Sequence, residues 1–330
     1  MTSTRLRIGA VLSALALGLT ACGADDSGTE TVAEGETTTI EVEDNNGAQT
    51  VTVPPRSVVA TDNRTFETLA DWGVPLSAGA VSLMPKTISY KSDDSIIDLG
   101  SHREPDLEAV VAADPDLIIN GQRFTQYHDD FTSLVPDATV LSLDPRDGQP
   151  FDEELKRQTT VLGEVFGKET EAEQLNADFD ASIERVKAAY EPGMTVMAVI
   201  TSGGNINYAT PGTGRTLGPL FDIFNFTPSL EVEDGSGNHQ GDDISVEAIA
   251  DSNPDLILVM DRDAGTSTGA DDPSYRPASE LLSESAALQR VTAVQDENIV
   301  YMPADTYTNE SIQTYTEFFN ALADQLEAQN

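Results

Sequence analysis

The chain carries one supersecondary pattern twice. Glu104 to Arg123 reads EPDLEAVVAADPDLIINGQR, and Asp243 to Arg262 reads DISVEAIADSNPDLILVMDR, an offset of 139 positions. Seven of the twenty aligned positions are identical: Glu108/Glu247, Ala109/Ala248, Pro115/Pro254, Asp116/Asp255, Leu117/Leu256, Ile118/Ile257 and Arg123/Arg262. Each copy predicts a short helix, a Pro-Asp break, an apolar strand, and an arginine just past the strand's end. A fragment such as PDLII recurs in many α/β chains and alone argues little. A glutamate and an arginine at matching distances on either side argue for a duplicated unit. Such a unit restricts the chain to α/β architecture with two similar halves. Ligands of open α/β sheets bind beyond the carboxyl ends of the strands. Two facing halves would therefore put Arg123 and Arg262 on opposite walls of one cleft.

The remaining sequence fits that frame. Thr37 to Val53 alternates apolar and polar residues around Asn45-Asn46-Gly47 and predicts a β-hairpin. Strands are expected at Ser57–Thr61 and Ala138–Leu143, with a helix at Arg64–Gly73. Glu169 to Glu191 predicts one long polar helix, uninterrupted by Pro or Gly, with a single stripe of Leu175, Phe179, Ile183, Val186 and Tyr190. A second strand–helix series follows: strand Thr195–Thr201, helix Thr216–Phe224, strand Asn298–Met302 and an amphipathic C-terminal helix. The expected organisation is a leader at 1–21, a tether at 22–38, an N-terminal lobe at 39–166, a linker helix at 167–191 and a C-terminal lobe at 192–330.

The leader has Arg5 and Arg7 before an apolar run, Ile8 to Leu19, that is too short to span a bilayer. It ends at Leu19-Thr20-Ala21-Cys22, where small residues precede the only cysteine. That pattern is similar to a bacterial lipobox, in which Cys22 becomes the lipidated first residue. No cysteine is left for a disulfide, so the fold has to be held by its core. The formal charge is −39, from 18 basic and 57 acidic side chains. Loss of Arg5 and Arg7 with the leader makes it −39 − 2 = −41. Such a surface argues against nucleic acid and anionic membrane as partners and says little about fold.

The whole pattern resembles the substrate-binding lipoproteins of bacterial ABC importers for iron–siderophore complexes, vitamin B12 and haem. It is carried by the lipobox, VVATDNRTFETLADWGV, LGSHREPDLEAVVAADPDLII, the linker helix, ISVEAIADSNPDLILV and NIVYMPADTY. The resemblance implies two Rossmann-like lobes joined by one long helix, with the ligand cleft between them. It is strongest to the branch that binds ferric catecholates. That branch has three cleft arginines, which fall here on Arg123 in NGQRF, Arg215 in PGTGRTLGPLFD and Arg262 in VMDRD. Its histidine falls on His239. Its tyrosine falls, without a gap, on Thr308, one residue after Tyr307. The resemblance further implies that Glu108 and Glu247 dock onto a permease. Their alternative is plain first-turn glutamates favoured by the helix dipole.

These residue types suit that cargo. An iron(III) tris-catecholate is a trianion with aromatic faces, and guanidinium offers both a donor fork and a flat cation. His239 and Tyr307 would ligate iron only if the siderophore leaves coordination sites open. Tyr208, in GGNINYATPG, either lines the cleft or packs within its own loop. His102 reads as cleft-lining or as a solvated loop residue, His128 as surface, Trp72 as core, and Arg64 and Arg103 as solvated or salt-bridged. No enzyme cofactor is expected, and the iron arrives bound in its siderophore. The implied receptor is monomeric, anchored through Cys22 to the outer face of the cytoplasmic membrane, and delivers to a permease with its ATPase. Alternatives are B12, haem or another iron chelate in the same fold. From a different class, an envelope hydrolase would call for a catalytic signature; the chain has no H-E-x-x-H and no P-loop.

Overall fold

The computed structural model describes residues 37–100 and 104–329. The leader, Cys22, most of the tether, His102 and Arg103 lie outside them. Residues from Thr37 onward form one unit. Its first elements are the expected hairpin, β1 (Thr38–Asp44) and β2 (Gly47–Val53), with Ile40 opposite Val51.

Five short parallel strands follow: β3 (Val58–Ala60), β4 (Ala78–Gly79), β5 (Ile97–Asp98), β6 (Leu117–Asn120) and β7 (Thr139–Ser142), in the order β5-β4-β3-β6-β7. Between them run α1 (Phe66–Asp71), α2 (Leu107–Ala112) and α3 (His128–Leu134). Next come α4 (Phe151–Phe166) and the long α5 (Glu169–Ala189). The second sheet holds β8 (Thr195–Ser202), β9 (Asn205–Tyr208), β10 (Thr227–Pro228), β11 (Leu256–Asp261) and β12 (Ile299–Tyr301). Its parallel order is β10-β8-β11-β12, with β9 antiparallel to β8. Its helices are α6 (Leu220–Phe224), α7 (Val246–Ser252), α8 (Ser267–Ala270), α9 (Ala278–Glu284), α10 (Thr292–Gln295) and the C-terminal α11 (Ile312–Glu327).

The repeat is a structural unit whose corresponding residues do corresponding work. Asp106 caps α2 by accepting from Glu108 N and Ala109 N, and Ser245 caps α7 by accepting from Ala248 N. Asp114 and Asn253, the paired positions after the helices, both adopt positive φ, 46° and 43°. The paired Asp116 and Asp255 then seal the entry of the neighbouring strand. Asp116 Oδ1 accepts from Ser57 N at 2.9 Å, and Asp255 Oδ2 accepts from Thr195 N at 2.7 Å. β6 and β11 are the inner strands that result, apolar as far as Ile119 and Met260 and closing on Asn120 and Asp261. In β8 the two faces separate cleanly. Val196, Ala198 and Ile200 join one core, and Met197 and Val199 the other.

α5 buries the expected stripe, with Phe179, Ile183 and Val186 inside and Leu175 and Tyr190 half-buried. It packs against α11, where Phe179 stacks on Phe319 at 5.6 Å. Each such buried aromatic contributes about 1.5–3 kcal/mol. α4 is absent from the sequence expectation. Its inner face carries Glu154, Gln158 and Thr159 beside Leu155, Val161 and Leu162. Its Leu155 belongs to the core around α11, and its Val161, Leu162 and Val165 to the core of the first sheet. The helix expected from Thr216 begins only at Leu220, because Gly218 and Pro219 are spent in the preceding turn. No described helix is long and apolar enough to cross a membrane.

Candidate functional site

Four of the expected site residues converge on the fifth. The guanidinium carbons of Arg123, Arg215 and Arg262 lie 5.4, 4.9 and 4.7 Å from the centre of the Tyr307 ring. Arg123 Nη2 also donates to the Tyr307 hydroxyl at 3.1 Å. The His239 ring centre is 6.5 Å from that of Tyr307, and His239 is exposed. Arg123 follows β6, Arg262 follows β11 and Tyr307 follows β12, so three of the five sit at carboxyl strand ends. Arg215 comes from the loop after β9. Both sheets therefore supply the cage.

Local backbone explains how these side chains arrive. Past the end of β6, Gly121 lies so close to Asp62 that a Cβ there would sit 2.4 Å from Asp62 Oδ2. Gln122 then takes positive φ, 51°, and the chain turns to present Arg123. On the opposite side Gly265 leaves room for Tyr307; a Cβ at that glycine would be 2.8 Å from Tyr307 Cβ. The adjacent Thr308 is occupied elsewhere, donating to Gly265 O at 2.6 Å. The tyrosine of the cleft is thus Tyr307, not the ungapped position Thr308.

Charge in the cage is only partly compensated. Arg262 Nη1 lies 3.1 Å from Asp263 Oδ1. Arg215 pairs with Glu310 at 3.1 Å. Arg262 Nε is buried without a hydrogen bond, a donor of the cage that no protein group engages. The phenol feels this field. Burial of Tyr307 acts to raise its pKa, but the hydrogen bond from Arg123 and the charges of Arg123, Arg262 and Arg215 outweigh it. The net result is a phenol held below the ordinary tyrosine range.

Other expectations fare differently. Tyr208 is a core residue, 1% exposed, and its hydroxyl donates to Leu230 O at 2.6 Å, so it does not line the cleft. His128 bonds Ser142 Oγ at 3.1 Å, beside β7. Trp72 packs on the first core. Arg64 is salt-bridged, 2.9 Å from Glu310 Oε2. Glu108 and Glu247 occupy the first turns of α2 and α7, and both are exposed. Among the described residues, no group of three or more His, Cys, Asp or Glu could hold a metal ion. The residue that sequence reasoning missed is Glu310, fully buried between Arg64 and Arg215. Nothing in TNES signals a buried acid.

One stretch, Gly265-Thr266-Ser267-Thr268-Gly269, has the spacing of a hydrolase nucleophile elbow. An elbow puts its serine at the sharp turn from strand to helix. Here residues 262–266 separate β11 from Ser267, and Gly265 is committed to packing against Tyr307.

Two cavities open between the halves. One, of about 840 Å³, is lined by Arg64, Arg146, Phe151, Thr213 and Asp222. The other, of about 460 Å³, is lined by Met84, Lys86, Gly265, Asp305 and Asn309.

Comparison with known proteins agrees with this architecture. The family described as periplasmic binding protein matches residues 58–306. The chain is 28% identical over 320 residues to the petrobactin-binding protein YclQ of Bacillus subtilis, covering 94% of this chain and 95% of that one. It is 27% identical over 230 residues to the ferric-anguibactin-binding protein FatB of Vibrio anguillarum, covering 69% and 70%. The crystal structure of YclQ superposes with a TM-score of 0.72 at 25% identity, covering 88% of this chain and 99% of that one.

Proposed function

The chain belongs to the periplasmic binding protein family, and from that premise we propose that it captures a ferric siderophore of the catecholate type for iron uptake. The family is one of binding proteins, not of enzymes. The observation that carries the reading is the cage around Tyr307. Three guanidiniums surround one aromatic ring, and one of them donates to its phenolic oxygen. A catecholate presents the same two features, a π-face and phenolate oxygens, with more negative charge. The cage that holds a tyrosine this way is built to hold a catecholate more strongly. The petrobactin and anguibactin receptors among its relatives support an iron chelate as cargo.

In this reading the ligand-binding residues are Arg123, Arg215, Arg262, His239 and Tyr307. His239 and Tyr307 become iron ligands when the siderophore leaves coordination sites open. Iron is cargo, carried in by its siderophore. Residues 39–166 and 192–330 form the two lobes, with 167–191 as the linker. A lipid on Cys22 anchors a monomer to the outer face of the cytoplasmic membrane, and Glu108 and Glu247 dock it onto an ABC permease.

The test is a fluorescence-quenching titration of the unlipidated protein from Cys22 onward. The ligands are ferric catecholates of different denticity, a ferric hydroxamate, B12 and haem. Tight binding confined to the catecholates is expected. Tight binding of B12 or haem alone would keep the fold and overturn the cargo and the role of the three arginines.

A further inference from the structure

Glu310 is a carboxylate with no contact to solvent, placed where two arginines from different halves of the molecule meet. Its side chain is 0% exposed. Oε2 is 2.9 Å from Arg64 Nη2, and Oε1 accepts from Arg215 Nε at 3.1 Å and from Thr216 Oγ1 at 2.6 Å. Arg64 follows β3 of the first sheet, Arg215 follows β9 of the second, and Glu310 lies between β12 and α11. The flanking residues are tied to the first half as well. Asn309 Nδ2 donates to Glu67 at 2.9 Å, Ser311 Oγ donates to the same carboxylate, and Thr68 Oγ1 donates to Gln313 Oε1 at 2.9 Å.

The chemistry of this arrangement is specific. A buried carboxylate stays ionised only when paired, and Glu310 is paired with two guanidiniums, of which Arg64 also lies in the field of Asp62 and Asp144. The carboxylate borders the cage, because Arg215 is at once a partner of Glu310 and one of the three cations around Tyr307. Taking the carboxylate away would leave Arg215 without its anchor and raise the local charge by one. Arg64 and Glu310 themselves make no contact with Tyr307 among those described, so their influence runs through Arg215.

We propose that Glu310 is a positioning residue that presets the cargo cleft: it fixes Arg215 before cargo arrives and sets how much negative charge the cleft accepts. The inference rests on the catecholate reading and narrows it to cargo selected by charge. Glu310 lowers the positive charge of the cleft, so it restrains preference for the most highly charged chelates.

The experiment compares two iron(III) complexes of different charge, one of a bis-catecholate and one of a tris-catecholate, by quenching titration. The proteins are the unsubstituted chain, Glu310→Gln, and the charge-balanced pair Arg64→Gln with Glu310→Gln. Glu310→Gln is expected to shift the affinity ratio towards the tris-catecholate on the order of tenfold, since one buried charge acts more strongly on a trianion. The pair is expected to return the ratio to its starting value while weakening both complexes, because Arg215 has lost its anchor. A role in stability alone would weaken both complexes equally in Glu310→Gln and leave the ratio unmoved, and that result overturns the proposal. If Glu310→Gln does not fold, the pair decides alone: unchanged affinity for both complexes overturns the positioning role. Failure of the catecholate reading is distinct, because the unsubstituted chain would then bind neither complex.

Discussion

Arg123 and Tyr307 join the two halves of the molecule through one hydrogen bond, Nη2 to the phenolic oxygen at 3.1 Å. The arginine follows a strand of the first sheet and the tyrosine a strand of the second. The bond therefore ties the two halves together at the site proposed for cargo. Arg123→Ala, Arg215→Ala and Arg262→Ala are each expected to weaken ferric-catecholate binding by ~1–3 kcal/mol. Circular dichroism should show the fold retained. Unchanged quenching titrations for all three would remove the cage from the binding site.

The Tyr307 phenol should ionise early. It is buried, which disfavours the phenolate, yet the Arg123 hydrogen bond and the charges of Arg123, Arg262 and Arg215 hold its pKa below the ordinary value. A group whose folded pKa is depressed adds stability above its unfolded pKa, here about 10. That contribution disappears as pH falls through the folded value. An absorbance titration near 295 nm should show one tyrosine ionising before the rest. Arg123→Met should move that step upward, and an unmoved step would mean that the arginine does not act on the phenol.

Gly265 sets the depth of the tyrosine. A methyl at that position would stand 2.8 Å from Tyr307 Cβ and 3.1 Å from Tyr307 N. Gly265→Ala should push Tyr307 out of the cage and lower affinity for ferric catecholates about tenfold or more. Wild-type affinity in a folded Gly265→Ala protein would show that the cage tolerates a displaced ring.

Glu154 should govern acid stability. It is buried on α4, and burial acts to raise its pKa. Hydrogen bonds from the Arg146 side chain and backbone, then from Arg157, pull it down to about 2. Its contribution is fully present above the ordinary carboxylate value and is lost as pH falls towards about 2. Thermal unfolding followed from neutral pH downward should show Glu154→Gln losing the steep acid-side decline of the parent. Parallel curves for the two proteins would assign that decline to other carboxylates.

Glu108 and Glu247 are exposed first-turn residues of the two repeated helices. Reversing both to arginine should leave cargo affinity unchanged and abolish iron uptake in cells. Normal uptake would reduce them to helix-dipole partners.

Much of this was legible in the chain itself because the signals are local. The repeat around Pro115 and Pro254, the period of α5 and the alternation in β1 and β2 follow from short-range geometry. The repeat also places Arg123 and Arg262 just past their strands, whereas Arg215 was pointed to by the family resemblance alone. α4 was missed although its apolar period is as pronounced as that of α11; what no local pattern records is that its buried Glu154 is satisfied by Arg146 and Arg157. Tyr208 misled for the converse reason. It sits in a polar loop sequence, yet its ring is fully buried and its hydroxyl is satisfied by Leu230.

By itself, then, the sequence determined two α/β halves, a long helix after the first and an arginine just past the repeated strand of each half. Tertiary structure alone decided which aromatic residue those cations surround. Tyr307 and Thr308 are neighbours in sequence, and only the packing of Gly265 turns the first into the cage and ties the second to a carbonyl. It also decided the place of Glu310, since its partners Arg64 and Arg215 lie 246 and 95 positions away. A buried charge is tolerable only where distant partners meet it, and no local pattern records that meeting.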